Sequence, residues 1–182
     1  MVELVTGPPP REAIDRMTAI DGVRLTPAML STQEGPAGQL GPEAAGALLI
    51  LQTTFVDAHR AEQFWLTASG LMEVLASAPG FIRRISFADG PLYLLLAFWR
   101  TAADAHAFSS HPDHQAAMKA LYRDRWQYTH FAGLWEVVTP RQRVIFCQEC
   151  DGVTPVGDGE CRCSGCGTEL LDPYRSGSRI DA

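Results

Sequence analysis

Residues 47–138 open with Ala47-Leu48-Leu49-Ile50-Leu51-Gln52-Thr53-Thr54-Phe55 and close with Phe131-Ala132-Gly133-Leu134-Trp135-Glu136-Val137-Val138. What lies between these two apolar runs decides the fold. The first run has strand length and strand composition. Asp57 is placed to cap the segment after it. From Ala58 to Ala78, the residues Ala61, Phe64, Trp65, Ala68, Leu71, Met72 and Leu75 recur at steps of three and four, one stripe of an amphipathic helix. Pro79-Gly80 ends that helix. Phe81 to Phe87 then reads as a strand, Ala88-Asp89-Gly90-Pro91 as a turn, and Leu92 to Trp99 as the paired strand. A second helical region begins near Thr101, pauses at His111-Pro112 and runs to about Arg125. The last strand is expected over 130–138.

Strand, helix, strand, strand, helix, strand is the split βαβ order, which predicts an α+β fold with an antiparallel sheet and both helices on one face. The other face is expected to carry alternate members of Leu48-Ile50 and Leu92-Leu94-Leu96, with Leu134 and its neighbours. That surface is too apolar to leave wet, so a homodimer with the two sheets face to face is predicted.

Outside this core, residues 1–46 hold twelve Gly or Pro, including Pro8-Pro9-Pro10. They read as an arm that packs on the core or covers a binding site, with a short helix over Arg11 to Ile20. The expected division is the arm at 1–46, the α+β domain at 47–139, a cysteine module at 144–174 and a mobile tail at 175–182. The 182 residues are 46% hydrophobic and 20% charged, with a net charge of −6. That balance is globular and excludes nucleic acid and anionic membranes as favoured partners. No apolar run reaches the length of a membrane span. The start lacks a signal-peptide pattern, and a cytoplasmic location is expected.

The spacing and wording of FWLTASGLMEVLASAPGFIRRISFADGPLYLLLAFWRTAADAHAFSSHPDHQAAMKAL (64–121) resemble the antibiotic biosynthesis monooxygenase family. The pieces that carry the resemblance are Ala78-Pro79-Gly80-Phe81, Phe98-Trp99-Arg100, and Ala105-His106-Ala107-Phe108 before His111-Pro112-Asp113-His114. The resemblance implies a ferredoxin-like dimeric α/β barrel over residues 47–138. It further implies a small aromatic substrate in a cavity between sheet and helices, with Trp99 against it. Cofactor-free members resembling this chain use an asparagine four positions before that tryptophan, where this chain has Leu95. Heme-degrading members place a tryptophan and a heme-ligating histidine where this chain has Phe108 and Ala117, and His114 lies three residues before Ala117.

His114 is therefore the candidate axial ligand if heme is the cofactor, and His114 and His111 join Trp99 as candidate catalytic residues. The bland reading of His111-Pro112-Asp113-His114 is a helix start, and of the four tryptophans, packing. Tyr93, Tyr122 and Tyr128 are candidate donors to the cavity. Arg83 and Arg84 point to opposite faces of one strand, so one meets solvent and the other is available to an anionic or phenolate ligand.

All five cysteines fall between 147 and 166. Cys147-Gln148-Glu149-Cys150 and Cys163-Ser164-Gly165-Cys166 are two CxxC knuckles twelve residues apart. Four thiolates so arranged suit a structural zinc ribbon with ligands Cys147, Cys150, Cys163 and Cys166. Cys161 is the spare ligand, and a rubredoxin-like iron is the alternative metal. Residues 141–182 hold five Arg, no Lys and seven acidic residues, which argues against nucleic-acid binding by the ribbon.

Three functions follow. The first is a monooxygenase-type enzyme of secondary, polyketide-like metabolism acting on an aromatic or polycyclic small molecule. The second is a heme-dependent enzyme on the same barrel. The third is a non-catalytic interaction protein built on the zinc ribbon.

Overall fold

The computed structural model describes residues 11–19, 29–138, 142–156 and 161–172, excluding the side chains at 13, 14, 17, 18, 29 and 30. The expected mobile tail lies outside the described residues. The short N-terminal helix is α1, Arg11–Thr18. The chain forms two compact units, one spanning residues 29–143 and a smaller one that contains residues 144–172.

In the larger unit the elements run β1 (Met29–Glu34), β2 (Ala47–Phe55), α2 (Ala58–Ala76), β3 (Phe81–Asp89), β4 (Leu92–Trp99), α3 (Ala102–Ser109), α4 (Pro112–Asp124) and β5 (Gln127–Glu136). The sheet order is β1-β3-β4-β2-β5, antiparallel throughout. Strands β2 to β5 with α2 to α4 make the ferredoxin-like α+β arrangement. β1 is a fifth strand that the sequence reading did not anticipate. It comes from the Pro/Gly-rich segment and pairs with β3 from Met29↔Ala88 to Glu34↔Arg83.

Local chemistry sets the boundaries. The Asp57 carboxylate accepts the Arg60 backbone N–H at 2.8 Å to start α2. Gly80 closes the turn into β3 at φ 74°, and a Cβ there would stand 2.3 Å from the Asp104 carboxylate, so both conformation and space demand glycine. Thr101 starts α3, accepting the Asp104 N–H at 3.1 Å and donating to its carboxylate at 2.7 Å. His111 starts α4, its ring Nδ1 accepting the Asp113 N–H at 3.3 Å ahead of Pro112.

The covered face of the sheet holds the core of Ala47, Leu75, Ala78, Phe81, Ala97, Trp99 and Ala105, with Leu49, Leu95 and Leu134 packed against it. Leu134 had been expected on the bare face. Its Cα partner is Leu49, not Leu48, so it turns inward. The opposite face carries Leu48, Ile50, Leu94, Leu96 and Phe98, with Phe131 (52% exposed) and Trp135 (43% exposed) at its edge. The Phe131 and Trp135 rings lie 5.9 Å apart. Trp135 folds over Gly133, where a Cβ would sit 2.5 Å from the indole.

The smaller unit contains a two-stranded sheet of β6 (Val144–Phe146) and β7 (Val153–Pro155), and an isolated bridge between Arg162 and Glu169. Among the described residues no helix is long and apolar enough to cross a membrane.

Candidate functional site

Two sites emerge, one in each unit. The first is a cavity of about 130 Å³ between the sheet and helices α2 and α4. Alternation along β2 and β4 brings Leu49, Leu51, Tyr93, Leu95, Ala97 and Trp99 to its floor. The helices supply Phe64, Ala68, Leu71, Met72, Leu75, His114, Ala117, Met118 and Leu121. Most of this wall is apolar, as expected for a small-molecule site.

Trp99 is 1% exposed, packed 5.2 Å from the Phe81 ring and 5.5 Å from Phe108. Phe108 in turn lies 5.0 Å from the His114 ring. Trp99, Phe108 and His114 thus form one end of the cavity. His114 Nδ1 is 3.1 Å from the Ser109 carbonyl. A carbonyl only accepts, so the proton is on Nδ1 and Nε2 keeps its lone pair. Burial lowers the His114 pKa, the Ser109 carbonyl opposes that shift and His111 adds to it. The net effect favours the neutral imidazole. His111 belongs to the helix cap and does not line the cavity.

The far end is marked by strand register. Trp99 stands opposite Ala47, whereas Tyr93 and His130 both flank Thr53, six residues further along β2. Six residues of strand span about 20 Å. Gln127 and Trp126 join His130 there. Burial raises the Tyr93 pKa, against the pull of Ser86 and Arg84, and lowers that of His130. Of the three candidate tyrosines only Tyr93 reaches the cavity; Tyr122 and Tyr128 are exposed.

Trp99 Nε1, Trp126 Nε1, Gln127 Nε2 and His130 Nδ1 are buried without a hydrogen-bond partner. All four residues line this cavity. Buried polar atoms are nearly always paired, so four orphans around one cavity single it out as the candidate site. Of the catalytic candidates named from the sequence, Trp99 and His114 line this cavity; Trp126, Gln127 and His130, which also line it, had not been named as site residues. The sequence reading had started β5 at residue 130, while a register shift at Thr54/Phe55 lets the strand begin at Gln127.

Of the two arginines, Arg84 turns into the cavity wall and is 4% exposed, while Arg83 turns outward and pairs with Glu34 at 2.5 Å.

The second site is the cysteine cluster. The sulfurs of Cys147, Cys150, Cys163 and Cys166 all lie within 4.8 Å of one another. Cys147 and Cys166 are 3.7 Å apart, and Cys150 and Cys163 3.5 Å. A tetrahedron with metal–sulfur bonds of about 2.3 Å has edges of about 3.8 Å, whereas a disulfide needs about 2.05 Å. The geometry fits a four-thiolate metal shell. Backbone N–H groups point at the sulfurs, Glu149 to Cys147 at 3.4 Å, Gly152 to Cys150 at 3.4 Å and Gly165 to Cys163 at 3.3 Å. Such donors stabilise thiolates. Gly152 was not singled out in the sequence. A Cβ on it would fall 2.7 Å from the Cys163 sulfur. Cys161 lies outside the cluster of four and pairs through its backbone with Leu170.

Residues 48–120 match the family model for antibiotic biosynthesis monooxygenase, and the four-cysteine cluster follows that segment. Among solved structures, the chain is similar to SnoaB, a cofactor-independent oxygenase from Streptomyces nogalater (20% identity, 51% of this chain and 93% of that one, TM-score 0.43). It is also similar to a conserved protein from Methanosarcina mazei Go1 (10%, 52% and 95%, TM-score 0.45). A third is a ferredoxin-fold protein from Listeria monocytogenes related to antibiotic biosynthesis monooxygenases (9%, 60% and 62%, TM-score 0.45). No curated protein matches the chain.

Proposed function

We propose that the chain is a monooxygenase-type enzyme of secondary metabolism that oxidises an aromatic or polycyclic phenol in the cavity of the larger unit. The observation that carries this reading is the set of four orphaned polar atoms around an otherwise apolar cavity, in the unit that matches the antibiotic biosynthesis monooxygenase model. An apolar wall accepts fused rings, and buried donors accept their oxygens. In the cofactor-free route a phenol or activated methylene loses a proton, and its carbanion-like form reduces dioxygen. One oxygen atom becomes the new carbonyl and the other leaves as water. The protein supplies a dry cavity and donors for the developing oxyanion. Leu95 offers no donor at the position where related enzymes carry asparagine. Trp99 Nε1, at the same end of the cavity as His114, is the donor that replaces it, and neutral His114 Nε2 is the proton acceptor.

The enzyme acts as a homodimer, with the apolar sheet faces of two copies packed together. Zinc held by Cys147, Cys150, Cys163 and Cys166 stabilises a segment with too little core to fold alone.

Oxygen uptake with 1,8-dihydroxyanthrone tests the reaction. Consumption of one dioxygen per quinone formed, at least tenfold faster than without protein and lost in Trp99→Phe, is expected. Absence of uptake alongside a Soret band on hemin titration that disappears in His114→Ala would move the assignment to heme. That second reading is favoured by the free Nε2 that the Ser109 contact leaves on His114.

A further inference from the structure

Arg84 carries a permanent charge and is 4% exposed. Its Nε donates to Gln33 Oε1 at 2.9 Å, its Nη1 to the Ser86 and Ser31 hydroxyls at 2.8 and 3.3 Å, and its Nη2 to the Met72 thioether at 3.2 Å. Every one of these partners is neutral, and sulfur is a poor acceptor. Among the described residues no carboxylate forms an ion pair with it. Buried guanidinium groups are ordinarily matched by a counter-charge, because desolvating a lone ion is costly. The neighbouring Tyr93 hydroxyl stays protonated, since burial raises its pKa, and so offers no negative charge.

The support around Arg84 is built by two strands. β1 supplies Ser31 and Gln33, and Gln33 is itself fixed by donating to the Met72 carbonyl at 2.7 Å. Ser86 on β3 completes the set, with its hydroxyl 2.7 Å from that of Ser31. These side chains and the Tyr93 hydroxyl fix the guanidinium, no carboxylate among the described residues answers its charge, and Arg84 forms part of the cavity wall with Ala97, its Cα partner on β4.

We propose that Arg84 is the specificity-determining residue of this cavity, the counter-ion for an oxyanion carried by the aromatic ligand. The ligand is an aromatic acid or an acidic phenol bound as its anion, and strand β1 exists in this chain to hold the guanidinium in place for it. This rests on the cavity being the ligand site, as proposed above, and it narrows the substrate class to anions.

The test is calorimetric titration with 2-naphthoate and with neutral 2-naphthamide, two probes of nearly the same shape. The wild-type protein is expected to bind 2-naphthoate at least tenfold more tightly. Arg84→Gln, with its fold checked by circular dichroism, removes that preference while leaving 2-naphthamide affinity within threefold. Arg84→Lys keeps at least a threefold preference, because the charge persists without the planar fork. Arg83→Gln, on the opposite face, changes neither. Equal wild-type affinities, or a preference that survives in Arg84→Gln, overturn the role of Arg84 while the cavity assignment stands. If neither probe binds, or if Leu95→Trp at the cavity floor binds both as well as the wild type does, the cavity assignment falls and the proposal with it. If Arg84→Gln does not fold, Arg84→Lys carries the test: a preference smaller than that of the wild type is expected, and an unchanged one overturns the role of Arg84.

Discussion

Trp99 combines two jobs that mutation separates. Its ring fills the centre of the core, and its indole N–H faces the cavity unpaired. Trp99→Ala is expected to cost about 3–5 kcal/mol by leaving a void, seen as a lower urea midpoint. Trp99→Phe keeps most of the packing and removes the donor. It is expected to fold normally and to lose roughly 10²-fold or more in turnover, the usual effect of deleting one oxyanion donor. A Trp99→Phe enzyme of undiminished rate would assign the residue to packing alone. His130 offers a separate prediction in pH. Burial lowers its folded pKa below the ordinary histidine value, so the unfolded chain takes up the proton first. Its stabilising contribution is complete above about pH 6.5 and is lost as the pH falls from there through the folded pKa. Urea midpoints at pH 7.5 and 5.0 should differ, and by less in His130→Gln. An equal drop in that variant would place the effect elsewhere.

Turns and registers explain what the sequence could and could not tell at the scale of elements. The α2 stripe, the Pro79-Gly80 stop and the pause at His111-Pro112 are local signals, and each was legible because cap and turn chemistry act over a few residues. Which of Arg83 and Arg84 faces the cavity was not legible. A bulge between Phe81 and Arg83 breaks the count of alternation, and Ile82 is buried against Ala37 and Ala45 in a cluster separate from that of Phe81. The partner of Leu134 was hidden for the same reason, since a shift of one residue in pairing exchanges the faces. β1 had no strand signal strong enough to stand out from the Gly and Pro around it, and its pairing is decided some 50 positions away. The cavity's far end went unseen because Gln127 and His130 become neighbours of Tyr93 only through Thr53. Gly80→Ala belongs to this scale. The left-handed conformation and the crowding by Asp104 predict a loss of about 1–3 kcal/mol, measurable as a lower Tm. An unchanged Tm would mean that the turn relaxes freely.

For the molecule as a whole, the bare sheet face and the cysteine cluster make separate predictions. Trp135→Asp with Phe131→Asp places charge on the apolar face without touching the cavity. The pair is expected to convert a dimer to a monomer in light scattering, and a wild-type monomer at micromolar concentration would remove the dimer from the account. The cluster predicts one zinc per chain by elemental analysis. Cys163→Ser should lower that content severalfold and melt the ribbon first, because metal binding supplies the folding free energy of such a segment. Full zinc retention in Cys163→Ser would point to Cys161 as a substitute ligand.

The fifth strand also has a meaning in time. β1 leaves the ribosome before any other part of the sheet, yet the strand it pairs with begins 47 residues after the end of β1. Until β3 emerges, Met29–Glu34 has no edge to join, and Arg84 has neither Ser31 nor Gln33 beside it. Contacts of such sequence separation form slowly, since loop closure precedes their reward. The support of the guanidinium therefore waits on the synthesis of β3. A newly made chain must reach the end of β3 before Ser31 and Gln33 can meet Arg84.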